Sequence, residues 1–190
     1  MNPPDRIEVA TALYGAWRLI RGDAGGVTYF KSGRDGFWSA AWAVGLILPA
    51  HLLTIAVHVA SRPMGSFGLS DLVREALILM VGWFGYALLG FYVLRGVGKL
   101  GRFDSYMIAY YWTTVPLAYA ETLLTLLRAT GLLPSAIESL LAIGFLMLVL
   151  WARWFVARTG LAVKGGEAAA VVIGTLMFDI IIGKVLSPLL

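Results

Sequence analysis

The chain has 190 residues, 59% of them hydrophobic and only 14% charged, with 15 basic and 11 acidic side chains and no cysteine. Soluble domains carry about a quarter charged residues, so a mean hydropathy of +0.81 argues against a soluble enzyme, a disordered protein or a nucleic-acid-binding module. The missing thiols exclude disulfides, thiolate metal sites and cysteine nucleophiles. What remains is an integral membrane protein, all-α, with room for roughly four to six crossings at about 20 apolar residues each.

The N-terminal residues Met1 to Arg6 do not read as a signal peptide, because no basic region leads into an apolar run. Residues 5–21 read as an amphipathic helix capped by Asp5 after Pro3 and Pro4. Ile7, Ala10, Leu13, Tyr14, Trp17 and Ile20 recur at helical spacing, while Arg6, Glu8, Thr11, Arg18 and Arg21 fall mainly elsewhere on the wheel. Such a helix suits the headgroup region of a bilayer; packing on the membrane domain is the alternative. The turn-rich stretch Gly22 to Gly36 completes a cytoplasmic segment, 1–36, ahead of a transmembrane bundle, 37–190.

Five apolar runs follow: 37–60, 76–94, 105–127, 137–157 and 168–189. Each has the length needed to cross about 30 Å of hydrocarbon. The second follows a cap at Ser70 or Asp71, and the third is capped by Asp104. The fourth opens with Pro134 and a capping box from Ser135 to Glu138, and the fifth comes after Gly165 and Gly166. Trp38, Tyr92, Tyr106, Trp151 and Trp154 lie near the run ends, as an aromatic belt does. With the N-terminus in the cytoplasm, 11 basic residues fall inside, counting Arg153 near the end of the fourth run, and Arg62, Arg74, Arg128 and Lys184 fall outside. The bias predicts N-inside and C-outside, in a bacterial cytoplasmic membrane. A four-span form is the rival, because Asp179 and Lys184 interrupt the fifth run.

Ionisable groups inside such runs are expensive and normally face protein or water. His51, Glu121 and Asp179 are deep, and His58 lies nearer a surface. His51, Thr54 and His58 share one helical face; Tyr106, Tyr110, Thr114, Glu121 and Thr125 form a stripe on the third run, with Ala118 in its gap. Thr175, Asp179 and Gly183 are one turn apart on the fifth. At ~1.5 Å per residue, His51 and Glu121 lie roughly 4 and 7 Å outward of Asp179. The candidate intramembrane cluster is therefore His51, His58, Tyr110, Thr114, Glu121 and Asp179. It is either a proton-responsive or polar pathway, or a set of interhelical hydrogen bonds that fixes the bundle. Pro116 removes a backbone donor from the third run and predicts a kink. Gly82, Gly85 and Gly90 predict close helix packing in the second.

Other motifs lack their context. Gly96-Val97-Gly98-Lys99-Leu100-Gly101 matches G-x-G-x-x-G but follows an apolar helix, not a strand, and predicts a flexible basic loop at the membrane surface. Met64-Gly65-Ser66-Phe67-Gly68 lacks the first glycine of the hydrolase elbow. Both histidines sit on one helix, which disfavours a bis-histidine haem. No cofactor, metal or catalytic constellation is expected.

The stretch Gly101-Arg102-Phe103-Asp104 through Tyr110-Tyr111-Trp112-Thr113-Thr114-Val115-Pro116, within the five-run layout, resembles the YIP family of small five-span membrane proteins. Eukaryotic members are linked to Rab GTPases and vesicle traffic; the compact ends and absent cysteine look more bacterial. The resemblance implies a non-catalytic protein that organises or supports a membrane assembly, as a YIP-like factor or an accessory subunit. Its partners would be the bilayer and a membrane protein or a second copy, not nucleic acid. A small transporter or channel component is the alternative, motivated by His51, Glu121 and Asp179.

Overall fold

The computed structural model describes residues 3–61, 68–96 and 98–186, which are helical without a strand. The helices are α1 (Arg6–Ile20), α2 (Gly33–Ala41), α3 (Ala43–Ala60), α4 (Leu69–Met80), α5 (Tyr86–Gly96), α6 (Phe103–Ala129), α7 (Ser135–Leu161) and α8 (Gly165–Leu186). A 3-10 turn, Ala24–Tyr29, follows α1, and a π turn, Val81–Gly85, joins α4 to α5. Four stretches are long and apolar enough to cross a membrane: Gly33–Ala60, Asp71–Gly96, Ser135–Leu161 and Gly165–Lys184. The third expected span, now α6, is long enough, but its tyrosines, threonines and Glu121 leave it less apolar than those four.

The helix ends explain several departures from expectation. Asp5 caps α1 as expected, accepting from Glu8 N–H at 2.7 Å. Gly68, not Ser70 or Asp71, caps α4, and the Asp71 carboxylate reaches back to the Gly68 N–H at 2.9 Å. Asp104 lies in the first turn of α6, behind Arg102. The Ser135–Glu138 capping box does not form: Pro134 is the cap residue, and its carbonyl accepts from Ile137 and Glu138 N–H. Gly165 and Gly166 belong to α8, whose start is tied down by the Glu167 carboxylate on Lys164 N–H at 3.0 Å. The Met64–Phe67 stretch, Arg62, Val97 and the last four residues lie outside the described residues.

α6 is the central post. α3 and α7 pack along it, α1 and α2 flank its first half, and α8 covers α7. The core gathers at one end of this arrangement. Met107, Tyr111 and Trp112 of α6 are fully buried, with Leu19 of α1 and Val156 and Leu161 of α7. The expected boundary at 36/37 falls inside α2, and α1 shares this core. The other end is sparsely packed and apolar on its outside: Leu52, Leu77, Leu123, Leu140, Met147 and Ile180 are all exposed.

α1 packs on the bundle, but not by the face expected. Ala12, Gly15, Ala16 and Leu19 are buried, while Ile7, Tyr14 and Trp17 are exposed. Small side chains win the inner face because they admit a neighbouring backbone: a Cβ on Gly15 would stand 2.7 Å from the Gly26 carbonyl oxygen. Arg18 closes the following turn, donating to Asp23 at 2.7 Å and to the Tyr29 hydroxyl at 3.0 Å. Arg18 and the Gly25 N–H hold the exposed Asp23 carboxyl below its ordinary value. A depressed carboxyl stabilises the fold above its unfolded pKa, near 3.9, and loses that contribution as pH falls through the folded value. Asp23→Asn is therefore expected to speed amide exchange over residues 25–29 at pH 7, with the difference from the native chain shrinking as pH falls through the folded value of the Asp23 carboxyl.

The closest approach between α6 and α7 depends on Gly160, where a Cβ would sit 2.8 Å from Tyr106 Cα. A backbone atom cannot swing aside as a flexible side chain can. Gly160→Val should cost about 1–3 kcal/mol by forcing the helices apart, read as a lower unfolding temperature in detergent.

Candidate functional site

Polar side chains on the apolar helices converge around Arg153 of α7. Its guanidinium Nη1 donates to Asp179 of α8 at 2.8 Å. On its other side, a narrow groove of about 100 Å³ runs between α6 and α7, lined by Tyr110, Thr114 and Glu121 against Phe145, Val149 and Arg153. The pairing follows from antiparallel helices: residues at one-turn spacing on α6 meet residues at one-turn spacing on α7. Thr114 spends its hydroxyl on the Tyr110 carbonyl at 2.8 Å, as a helical threonine does when no better partner is near.

An aromatic stack backs this groove. Tyr86 of α5 lies flat on Tyr110, with ring centroids 4.1 Å apart, and shares a hydroxyl–hydroxyl hydrogen bond with Tyr106. Trp83 stacks on Tyr111 at 4.3 Å. A π turn interrupts the regular helical ladder; here the Trp83 carbonyl accepts the Tyr111 hydroxyl at 3.0 Å, and the Trp83 indole donates to the Ala41 carbonyl at 3.2 Å. Tyr106 is thus buried in a polar network instead of lying in a belt, whereas Tyr92 and Trp151 are exposed. Trp151 and Trp154 anchor neighbouring segments by donating to the carbonyls of Ile20 and Gly165.

The expected cluster divides in two. Tyr110, Thr114 and Glu121 share the α6–α7 groove, and Asp179 joins it through Arg153. His51 does not line that groove. It lies on α3 between Ala50 and Thr54, which meet α6 through Thr122: the Thr122 hydroxyl is 3.1 Å from the Ala50 carbonyl and 3.0 Å from the Thr54 hydroxyl. His51 Nε2 is buried without a hydrogen-bond partner among the described residues. His58, in the last turn of α3, is exposed. Compatible depth permitted one cluster but was not sufficient, because Thr122 and Glu121 point about 100° apart on α6.

Glu121 is exposed on the flank of α6, and its carboxylate makes no hydrogen bond or ion pair with the described residues. α6 continues through Pro116 as one helix, and α3 likewise contains Pro49. Beside Pro49, the carbonyls of Leu46 and Ala50 receive hydroxyls from Tyr119 and Thr122 of α6. Sequence inspection missed Arg153 as a site residue, counting it among the inside charges, and missed Trp83 and Tyr86. The signal for Arg153 was present: a lone cation within an apolar run, with a lone anion, Asp179, on the adjacent one.

No protein-family model, curated protein or solved structure matches this chain.

Proposed function

We propose that this chain is a non-catalytic integral membrane protein that organises or supports a membrane assembly, in the manner of a YIP-type factor or an accessory subunit, with five spans and a cytoplasmic N-terminus. The observation that carries the proposal is Glu121. It sits two turns short of the end of α6, exposed at the edge of the α6–α7 groove, with no hydrogen-bond or ion-pair partner for its carboxylate among the described residues. A carboxylate left against lipid costs a few kcal/mol on insertion scales. A helix of another chain, bringing a hydroxyl, amide or cation, removes that cost.

The membrane setting rests on the four long apolar stretches and on the exposed large aliphatic side chains around them. A water-soluble monomer rarely exposes so much contiguous apolar surface. Connectivity supports a fifth crossing: α6 leads from the end of α5 to the start of α7 and packs antiparallel to α7. The exposed Ile7, Tyr14 and Trp17 of α1 then meet the headgroup region, where Trp and Tyr are favoured.

The native chain has no cysteine, so a single introduced thiol is a clean reporter. Thr125→Cys, one turn beyond Glu121 on the same face, is expected to crosslink to a neighbouring chain in native membranes. The adduct should disappear when Glu121→Leu is added. Impermeant labelling of tags is expected to reach the C-terminus and not the N-terminus from outside; labelling of both ends from one side would contradict the five-span topology.

A further inference from the structure

An apolar cavity of about 470 Å³ lies away from the Arg153 groove, between α5 and α8. Those two helices come together at the π turn, where a Cβ on Gly85 would stand 3.1 Å from the Phe178 ring. Toward the core-rich end they part. Leu89 and Val93 form one wall and Ala170 and Val171 the other, and the paired hydroxyls of Tyr86 and Tyr106 lie at the back. Gly174 faces open space, with no atom within 4 Å of where its Cβ would be, and Gly90 meets only Met107 and Phe103 at ordinary contact distance. Val93, Ala170 and Gly174 are exposed, so the cavity opens through the side of the bundle.

Two opposite charges belong to its lining, Lys99 before α6 and Glu167 in the first turn of α8. Among the described residues the Lys99 ammonium has no hydrogen-bond or ion-pair partner and the Glu167 carboxylate accepts only from the Lys164 N–H. An apolar slot of this size falls within the roughly 300–1,000 Å³ span of small-ligand sites. With an unpartnered cation and a carboxylate beside it, the slot fits an amphiphile that carries an acyl chain and a head with both a phosphate and an amine. We propose that it binds one zwitterionic phospholipid of the phosphatidylethanolamine type, entering sideways from the bilayer, with its phosphate at Lys99 and its ammonium at Glu167. This inference rests on the membrane placement proposed above.

Energetics assign separate tasks to slot and rim. Moving an acyl chain from bilayer to an apolar slot gains little, because lipid tails are as apolar as leucine. The slot therefore fixes stoichiometry at one, and the two charges set headgroup preference. A wholly anionic head such as phosphatidylglycerol meets Lys99 favourably but is repelled by Glu167.

Native mass spectrometry of the full-length, delipidated protein tests this directly, with synthetic phosphatidylethanolamine and phosphatidylglycerol of identical chains as probes. One retained phosphatidylethanolamine per chain is expected, in clear excess over phosphatidylglycerol. Gly174→Leu fills the slot and should lower that occupancy about tenfold. Lys99→Gln, a loop substitution that leaves the helices intact, should weaken phosphatidylethanolamine several-fold, and Glu167→Gln should raise phosphatidylglycerol toward it. No retained lipid, equal retention of both lipids by the native chain, or retention unaffected by Gly174→Leu and Lys99→Gln would overturn the proposal. A chain that stays in alkali-washed membranes yet retains no phosphatidylethanolamine fails this test alone and leaves the membrane placement standing.

Discussion

Glu121→Leu is expected to convert the assembled, detergent-solubilised protein to single chains on a blue-native gel, while leaving the helical content unchanged. The Glu121 carboxylate makes no hydrogen bond or ion pair with the described residues, so its removal should not unfold the bundle. In the proposed assembly it also removes the polar contact that holds the neighbouring chain. Interhelical hydrogen bonds in membranes contribute about 1–2 kcal/mol in model peptides, which corresponds to a loss of association of roughly 5- to 30-fold. Glu121→Gln keeps a donor and an acceptor at the same position and should retain most of the assembly. If transport were the role of the groove instead, both substitutions would alter flux through liposomes containing the pure protein, and the mass on the gel would stay the same.

The second large effect concerns the Arg153–Asp179 pair. Arg153→Leu strips Asp179 of its guanidinium partner, 2.8 Å away, and leaves a carboxyl among Ile180, Ile181 and Met177. On insertion scales such a group costs ~2.5–3.5 kcal/mol near a helix centre. For a chain of this size that is a fall in unfolding temperature of about 5–14 °C. Adding Asp179→Leu removes the stranded acid as well, and most of the loss should be recovered, because a paired charge is costly to break but cheap to replace as a unit. An unrescued double variant would mean that Arg153 acts mainly through Tyr110 and the groove, not through Asp179.

Which parts of this protein were legible in its sequence follows from the physics of each. Long apolar runs announce themselves, so the helices from α2 to α8 and the Asp5 cap were expected. Exact helix starts were missed at Pro134, whose backbone carbonyl carries no side-chain signature, and at Gly68, where the Asp71 carboxylate reaches back from inside the first turn instead of standing at the cap. The inner face of α1 was missed because the expectation weighted hydrophobicity, whereas close packing selected Ala12, Gly15 and Ala16. In the candidate site, helical spacing correctly placed Tyr110, Thr114 and Glu121 on one stripe. It could not say which neighbour faces that stripe. Rotation about the helix axis sent His51 toward the other side of α6, and only tertiary packing brought Arg153 between Asp179 and Tyr110. The π turn at Val81–Gly85 had no marker beyond two glycines in an apolar run.

One question stands under all of this: whether lipid surrounds the exposed leucines, isoleucines and methionines. Alkaline carbonate washing of membranes from cells that express the full chain answers it in a single fractionation. Retention in the pellet, with release only by detergent, is the result expected of spanning helices. Recovery of the folded chain in the detergent-free supernatant would contradict the account.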